Sequence, residues 1–129
     1  MTASDHPVLV IDDDPDIRWT VAELLEDWGY SVTTAVHGRD ALDKLEAGVR
    51  PCLILLDLTM PVMNGYEFRQ AQRADPAFAE IPTIVLSAAG NLAERAKELA
   101  VDNVLRKPIA LEQLSSIAER FCAPAKVHN

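Results

Sequence analysis

The chain has 129 residues, 49% of them hydrophobic and 25% charged, with a formal net charge of −8 and a pI near 4.7. This length suits one domain with its own core, and the acidic balance disfavours non-specific attraction to nucleic acid or anionic lipid. No apolar run approaches the roughly 20 residues of a membrane span; the N-terminal MTASDHP lacks a signal-peptide core, so a cytoplasmic domain with Cys52 and Cys122 as reduced thiols is expected.

In chain order, Val8–Ile11 is an unbroken apolar run and the first predicted strand. Asp12, Asp13 and Asp14 follow, and Asp14 before Pro15 reads as a helix N-cap with proline at the first helical position. Ile17, Val21, Leu24, Leu25 and Trp28 then fall at offsets 0, 4, 7, 8 and 11, one face of a helix that stops at Gly29. Trp19 lies off that stripe and is expected at the surface, as are His6, His37 and His128. Ser31–Ala35 is a half-polar strand candidate. Arg39–Ala47, with Ala41, Leu42 and Leu45 on one side, predicts a helix ending before Gly48.

The second half repeats the alternation. Cys52–Leu56 predicts a strand with Cys52 as a core thiol, and Gly65–Arg73 a helix capped by Asn64. Thr83–Leu86 is the fourth strand, Asn91 a candidate cap for a helix over Leu92–Leu99, and Val101–Arg106 a mixed fifth strand. Leu114, Ile117, Ala118 and Phe121 form the stripe of the last helix. Alternating strands and helices predict an α/β fold whose parallel sheet carries helices on both faces. Ligands of such folds sit outside the carboxyl ends of the strands.

Those ends carry the chemistry. The first strand ends in Asp12, Asp13 and Asp14, the third in Asp57, the fourth in Ser87 and the fifth in Lys107, while the second offers nothing. Crowded carboxylates repel one another and resist leaving water. A hard divalent cation such as Mg²⁺, which takes oxygen ligands, is the natural remedy for Asp12, Asp13 and Asp57. Lys107 supplies a positive point charge and Ser87 a hydroxyl, both suited to phosphoryl oxygens. Asp57 is then a candidate nucleophile for an aspartyl-phosphate.

At VLVIDDDPDIR, ILLDLTMPVMNGYEF, PTIVLSA and VLRKP the chain resembles the receiver domains of two-component response regulators, over residues 7–121. The resemblance implies a flavodoxin-like (βα)₅ sheet of strand order 2-1-3-4-5. It further implies Asp57 as phosphoacceptor, Asp13 as a direct Mg²⁺ ligand, Asp12 acting mainly through metal-bound water, and the Thr59 carbonyl on Mg²⁺. Ser87 becomes the switch hydroxyl, Lys107 a phosphoryl contact, Gly65 a source of backbone freedom, and Lys107–Pro108 a cis bond. The implied partners are a sensor histidine kinase or phosphotransfer protein and an unidentified downstream protein, with neither nucleic acid nor membrane. The implied protein is no enzyme in the ordinary sense, but a self-phosphorylating acceptor with intrinsic autodephosphorylation. With residues 1–129 as a single domain and 122–129 as its tail, a stand-alone receiver without output domain is expected.

Four departures qualify the resemblance. Val104 stands where the family often has Tyr or Phe, Ala100-Val101 where many members read Gly-Ala, Ile109 where Phe is common, and the Ser87–Lys107 spacing is about two residues short. The usual hydroxyl-to-aromatic relay therefore lacks its ring, and signal is expected through the Ala88–Asn91 loop and the fourth helix. A haloacid-dehalogenase-type phosphatase also uses a strand-end Asp, a hydroxyl, a Lys and Mg²⁺. It needs a second Asp two residues after the nucleophile, where this chain has Thr59.

Overall fold

The computed structural model describes residues 6–88 and 91–122. Five strands, β1 (Val8–Ile11), β2 (Val32–Ala35), β3 (Leu53–Asp57), β4 (Thr83–Ser87) and β5 (Asn103–Arg106), alternate with five helices. These are α1 (Pro15–Asp27), α2 (Gly38–Glu46), α3 (Gly65–Ala74), α4 (Leu92–Leu99) and α5 (Leu111–Phe121). The strands are all parallel in the order β2-β1-β3-β4-β5, with Val8 level with both Val32 and Leu53. The expected flavodoxin-like order is thus the observed one. No helix among the described residues is long and apolar enough to cross a membrane.

The apolar runs are unbroken because each central strand buries both faces. Val8 and Val10 of β1, Leu53 and Leu55 of β3, and Ile84 and Leu86 of β4 pack with Val21, Leu25, Leu114 and Ala118 of α1 and α5. The alternate residues, Leu9, Ile11, Ile54, Leu56 and Val85, pack with Leu42 and Leu45 of α2, Phe68 of α3 and Leu99 of α4. β2 is an edge strand and only half-buried, which explains its polar threonines.

Local signals set most helix ends. The Asp14 carboxylate accepts from the backbone N–H of Asp16 (2.9 Å) and Ile17 (3.4 Å), so it caps α1 as expected. Gly29, at φ +97°, ends that helix in a conformation few other residues adopt. Asn64 and Glu67 form a reciprocal capping box on α3. His37 does more than sit on the surface: its Nδ1 accepts from the Asp40 N–H at 3.1 Å and caps α2. Asn91 occupies the cap position of α4, but its side chain accepts no cap hydrogen bond; it donates to Glu94 instead.

The cysteines correct the expectation of free thiols. Cys52, just before β3, is disulfide-bonded to Cys122, just after α5, with their Cα atoms 5.5 Å apart. The expectation rested on compartment, whereas the bridge reflects distance: the fold lays the end of α5 beside the start of β3. Cys122, expected at the start of the tail, is buried against the α1–α5 layer. His128 and the remaining tail lie outside the described residues.

A second feature escaped the sequence reading. Arg69, Gln72 and Thr83 are buried polar residues in contact. Arg69 Nη1 donates to Gln72 Oε1 (2.8 Å) and Thr83 Oγ1 (3.2 Å), and Nε donates to the Leu99 carbonyl (2.9 Å). Nη2 donates to the Ala100 carbonyl. The guanidinium thereby satisfies carbonyls at the C-terminal end of α4, where helices leave acceptors unpaired and favour positive charge. Burial, aided by repulsion from Arg73, holds its pKa below the ordinary arginine value, and Asp102 opposes this.

Candidate functional site

Asp12, Asp57, Ser87 and Lys107 meet at the carboxyl edge of the sheet because β1, β3, β4 and β5 are parallel and in register. They line one open cleft of about 680 Å³ together with Asp13, Thr59, Tyr66 and Arg95. Asp12 is fully buried and Asp57 is 6% exposed, whereas Asp13 faces solvent. Oxygens of these three carboxylates lie within 4.8 Å of one another.

Lys107 holds the cluster together. Its Nζ donates to Asp57 Oδ1 at 3.0 Å and to Asp12 Oδ2 at 3.1 Å, while Asp12 Oδ1 accepts from the Asp14 N–H at 3.0 Å. The backbone N–H of Lys107 donates to the Ser87 carbonyl at 2.9 Å, tying the ends of β4 and β5 together. The Lys107–Pro108 peptide is cis, as the resemblance implied.

Burial is the largest influence on the Asp57 carboxyl and pushes its pKa up; the Lys107 hydrogen bond opposes this, and the charges of Asp12 and Asp13 add to the rise. For Lys107, burial alone would lower the pKa. Hydrogen bonds and charge attraction from Asp57 and Asp12 outweigh it, and the ammonium is held above the usual lysine range. One lysine thus faces more negative charge than it neutralises. The all-oxygen donor set, with two acids at the cleft wall and one at its rim, fits a hard cation such as Mg²⁺ better than a soft metal.

Gly65 owes its place to space and not to backbone freedom. Its φ is not positive, and a Cβ there would lie 2.5 Å from the Asp57 carbonyl oxygen and 2.7 Å from the Leu58 Cα. Only glycine lets α3 begin so close to the end of β3, with the Gly65 N–H donating to the Leu58 carbonyl at 2.9 Å. Val104 is buried in the α2–α4 layer beside Leu99 and Val85, so this position presents neither a ring nor an exposed side chain. Of the expected signalling loop Ala88–Asn91, residues 89–90 lie outside the described residues.

Two lining residues, Tyr66 and Arg95, were not anticipated. Arg95 falls at offset 3 from Leu92, on the stripe formed by Leu92, Ala96 and Leu99, and a charged residue there was the available signal. Arg69 and Gln72 likewise share the stripe of Gly65 and Phe68 on α3, at offsets 4 and 7.

Comparison with known proteins agrees with this geometry. A family model described as the response regulator receiver domain matches residues 8–119. Protein PilG of Pseudomonas aeruginosa is 39% identical over 109 residues, covering 83% of this chain and 80% of its own. Chemotaxis protein CheY1 of Helicobacter pylori is 35% identical over 115 residues, covering 87% and 93%. Response regulator Rre1 of a Synechocystis strain is 33% identical over 90% of this chain, which spans only 51% of that protein. Among solved structures, chemotaxis response regulator CheY4 of Vibrio cholerae superposes with a TM-score of 0.80 at 34% identity, over 90% of this chain and 98% of that one. With strand order, strand-end acids and lysine all in place and the family model spanning nearly every described residue, the chain belongs to the response regulator receiver domain family.

Proposed function

We propose that the domain accepts a phosphoryl group on Asp57 from a histidine kinase or phosphotransfer protein, in a Mg²⁺-dependent reaction, and then changes its binding to a downstream protein. The observation that carries this reading is the bridging of Asp12 and Asp57 by Lys107 in a cleft open to solvent. In the transfer, an Asp57 carboxylate oxygen forms a bond to phosphorus as the bond from phosphorus to the donor's imidazole nitrogen breaks. The electron pair of the broken bond stays on that nitrogen. Lys107 stays ionised across the physiological range and passes from the Asp57 carboxylate to a phosphoryl oxygen. Ser87 donates its hydroxyl to another. Asp13, Asp57 and the Thr59 carbonyl would hold Mg²⁺ directly and Asp12 mainly through metal-bound water, and the cation would supply neutralisation of the oxygens crowded there. Water later hydrolyses the acyl phosphate and resets the domain.

The metal site has its own test. Asp13 is the exposed acid of the three, and its side chain makes no hydrogen bond among the described residues. Asp13→Asn should weaken Mg²⁺ affinity about tenfold or more, as loss of a charged ligand implies. The metal-free protein should melt at the same temperature or higher, because one of three repelling charges is gone. Isothermal titration with MgCl₂ and thermal denaturation in EDTA check both halves. Unchanged Mg²⁺ affinity, or a marked fall in the metal-free melting temperature, would contradict this assignment of Asp13.

A further inference from the structure

Among the described residues, Arg95 is the one cation lining the cleft that the mechanism leaves unused. Its guanidinium lies over the Tyr66 ring, 5.8 Å from the centroid, and forms no ion pair among the described residues. Its Nε is buried and has no hydrogen-bond partner among the described residues. A buried donor without an acceptor is costly, and an anion entering the cleft is an acceptor that would relieve that cost.

Charge balance points the same way. Asp12, Asp13 and ionised Asp57 carry three negative charges, which Lys107 and one Mg²⁺ neutralise. Converting Asp57 to a dianionic aspartyl-phosphate adds one more negative charge, and no other group assigned to the site matches it. Arginine suits that task, since its planar fork binds phosphoryl oxygens in pairs and loses little freedom when it starts from a stacked position.

We propose that Arg95 is the second cation of the phosphorylated site, a contact for phosphoryl oxygens that the unphosphorylated domain keeps stacked on Tyr66. This rests on the phosphoacceptor reading of Asp57. The same contact gives α4 a route to sense phosphorylation that needs no aromatic ring at Val104. Arg69 pins the C-terminal end of α4 through the Leu99 and Ala100 carbonyls. A pull on Arg95, one turn from the other end, then displaces the first half of the helix while its last turn stays anchored.

The test measures beryllofluoride affinity in excess Mg²⁺ for the wild type, Arg95→Gln and Arg95→Lys, with Mg²⁺ affinity measured separately without beryllofluoride. Arg95→Gln should bind beryllofluoride about tenfold or more weakly, the scale of one charge-assisted hydrogen bond. Arg95→Lys, which keeps the charge without the fork, should fall between. Both variants should bind Mg²⁺ at least as tightly as the wild type, which shows the acidic site intact and separates loss of a ligand from loss of the fold. Equal beryllofluoride affinity in Arg95→Gln and wild type overturns the role of Arg95 alone. A wild type that binds no beryllofluoride in Mg²⁺ overturns the reading of Asp57, and the second cation with it.

Discussion

Arg69→Ala is expected to lower the stability of the domain by about 3–5 kcal/mol, the largest effect we anticipate from one substitution outside the cleft. The residue is 7% exposed, and its side chain serves Gln72, Thr83 and two carbonyls at the end of α4. Truncation strands the buried acceptors on Gln72, Thr83 and Leu99 and also leaves a cavity where the stem lay. Against a total stability on the order of 5–15 kcal/mol, that loss is large. It corresponds to a fall in melting temperature on the order of 10–20 °C. Arg69→Lys should recover part of the loss, because one ammonium cannot span acceptors on α3, β4 and the end of α4. Thermal and urea denaturation check this, and a change under about 1 kcal/mol in Arg69→Ala would show that the network does not hold α4.

The second large effect concerns the Cys52–Cys122 bridge. A cross-link at a sequence separation of 70 constrains the unfolded chain and, by loop-closure entropy, contributes about 4 kcal/mol. Protein purified without reductant should show no free thiol when unfolded and titrated with a thiol reagent. Reduction, or a Cys52→Ser, Cys122→Ser double variant, should lower the urea midpoint accordingly while the fold persists. Two titratable thiols in the unreduced protein would contradict the bridge.

These two features mark where sequence reasoning stops. Strands buried on both faces announce themselves as apolar runs, and the five strands and first four helices fall within two residues of their expected limits. The last helix, expected only from its stripe Leu114 to Phe121, begins three residues earlier at Leu111. The strand-end acids and Lys107 were legible because a parallel sheet sends every carboxyl end to one edge. Nothing local, however, encodes that two cysteines 70 residues apart share one end of the fold. The environment of Arg69 was also hidden, since hydrophobic periodicity treats a charged residue on a buried stripe as noise unless its acceptors are known. For Gly65 the residue type was read correctly and its reason was not. A glycine needed for close approach looks the same in sequence as one needed for positive φ, and only the 2.5 Å to the Asp57 carbonyl separates them. Asn91 shows the converse: a residue favoured at N-caps stands at the cap position, yet its amide is spent on Glu94.

Asp57 is the proposed phosphoacceptor. Incubation with acetyl phosphate, followed by intact-mass measurement and peptide mapping, tests this assignment most directly. One phosphoryl group should be added at Asp57 with Mg²⁺ present, none in EDTA, and none in Asp57→Asn under either condition. Phosphorylation that persists in Asp57→Asn at one site, or that proceeds equally well in EDTA, would contradict it.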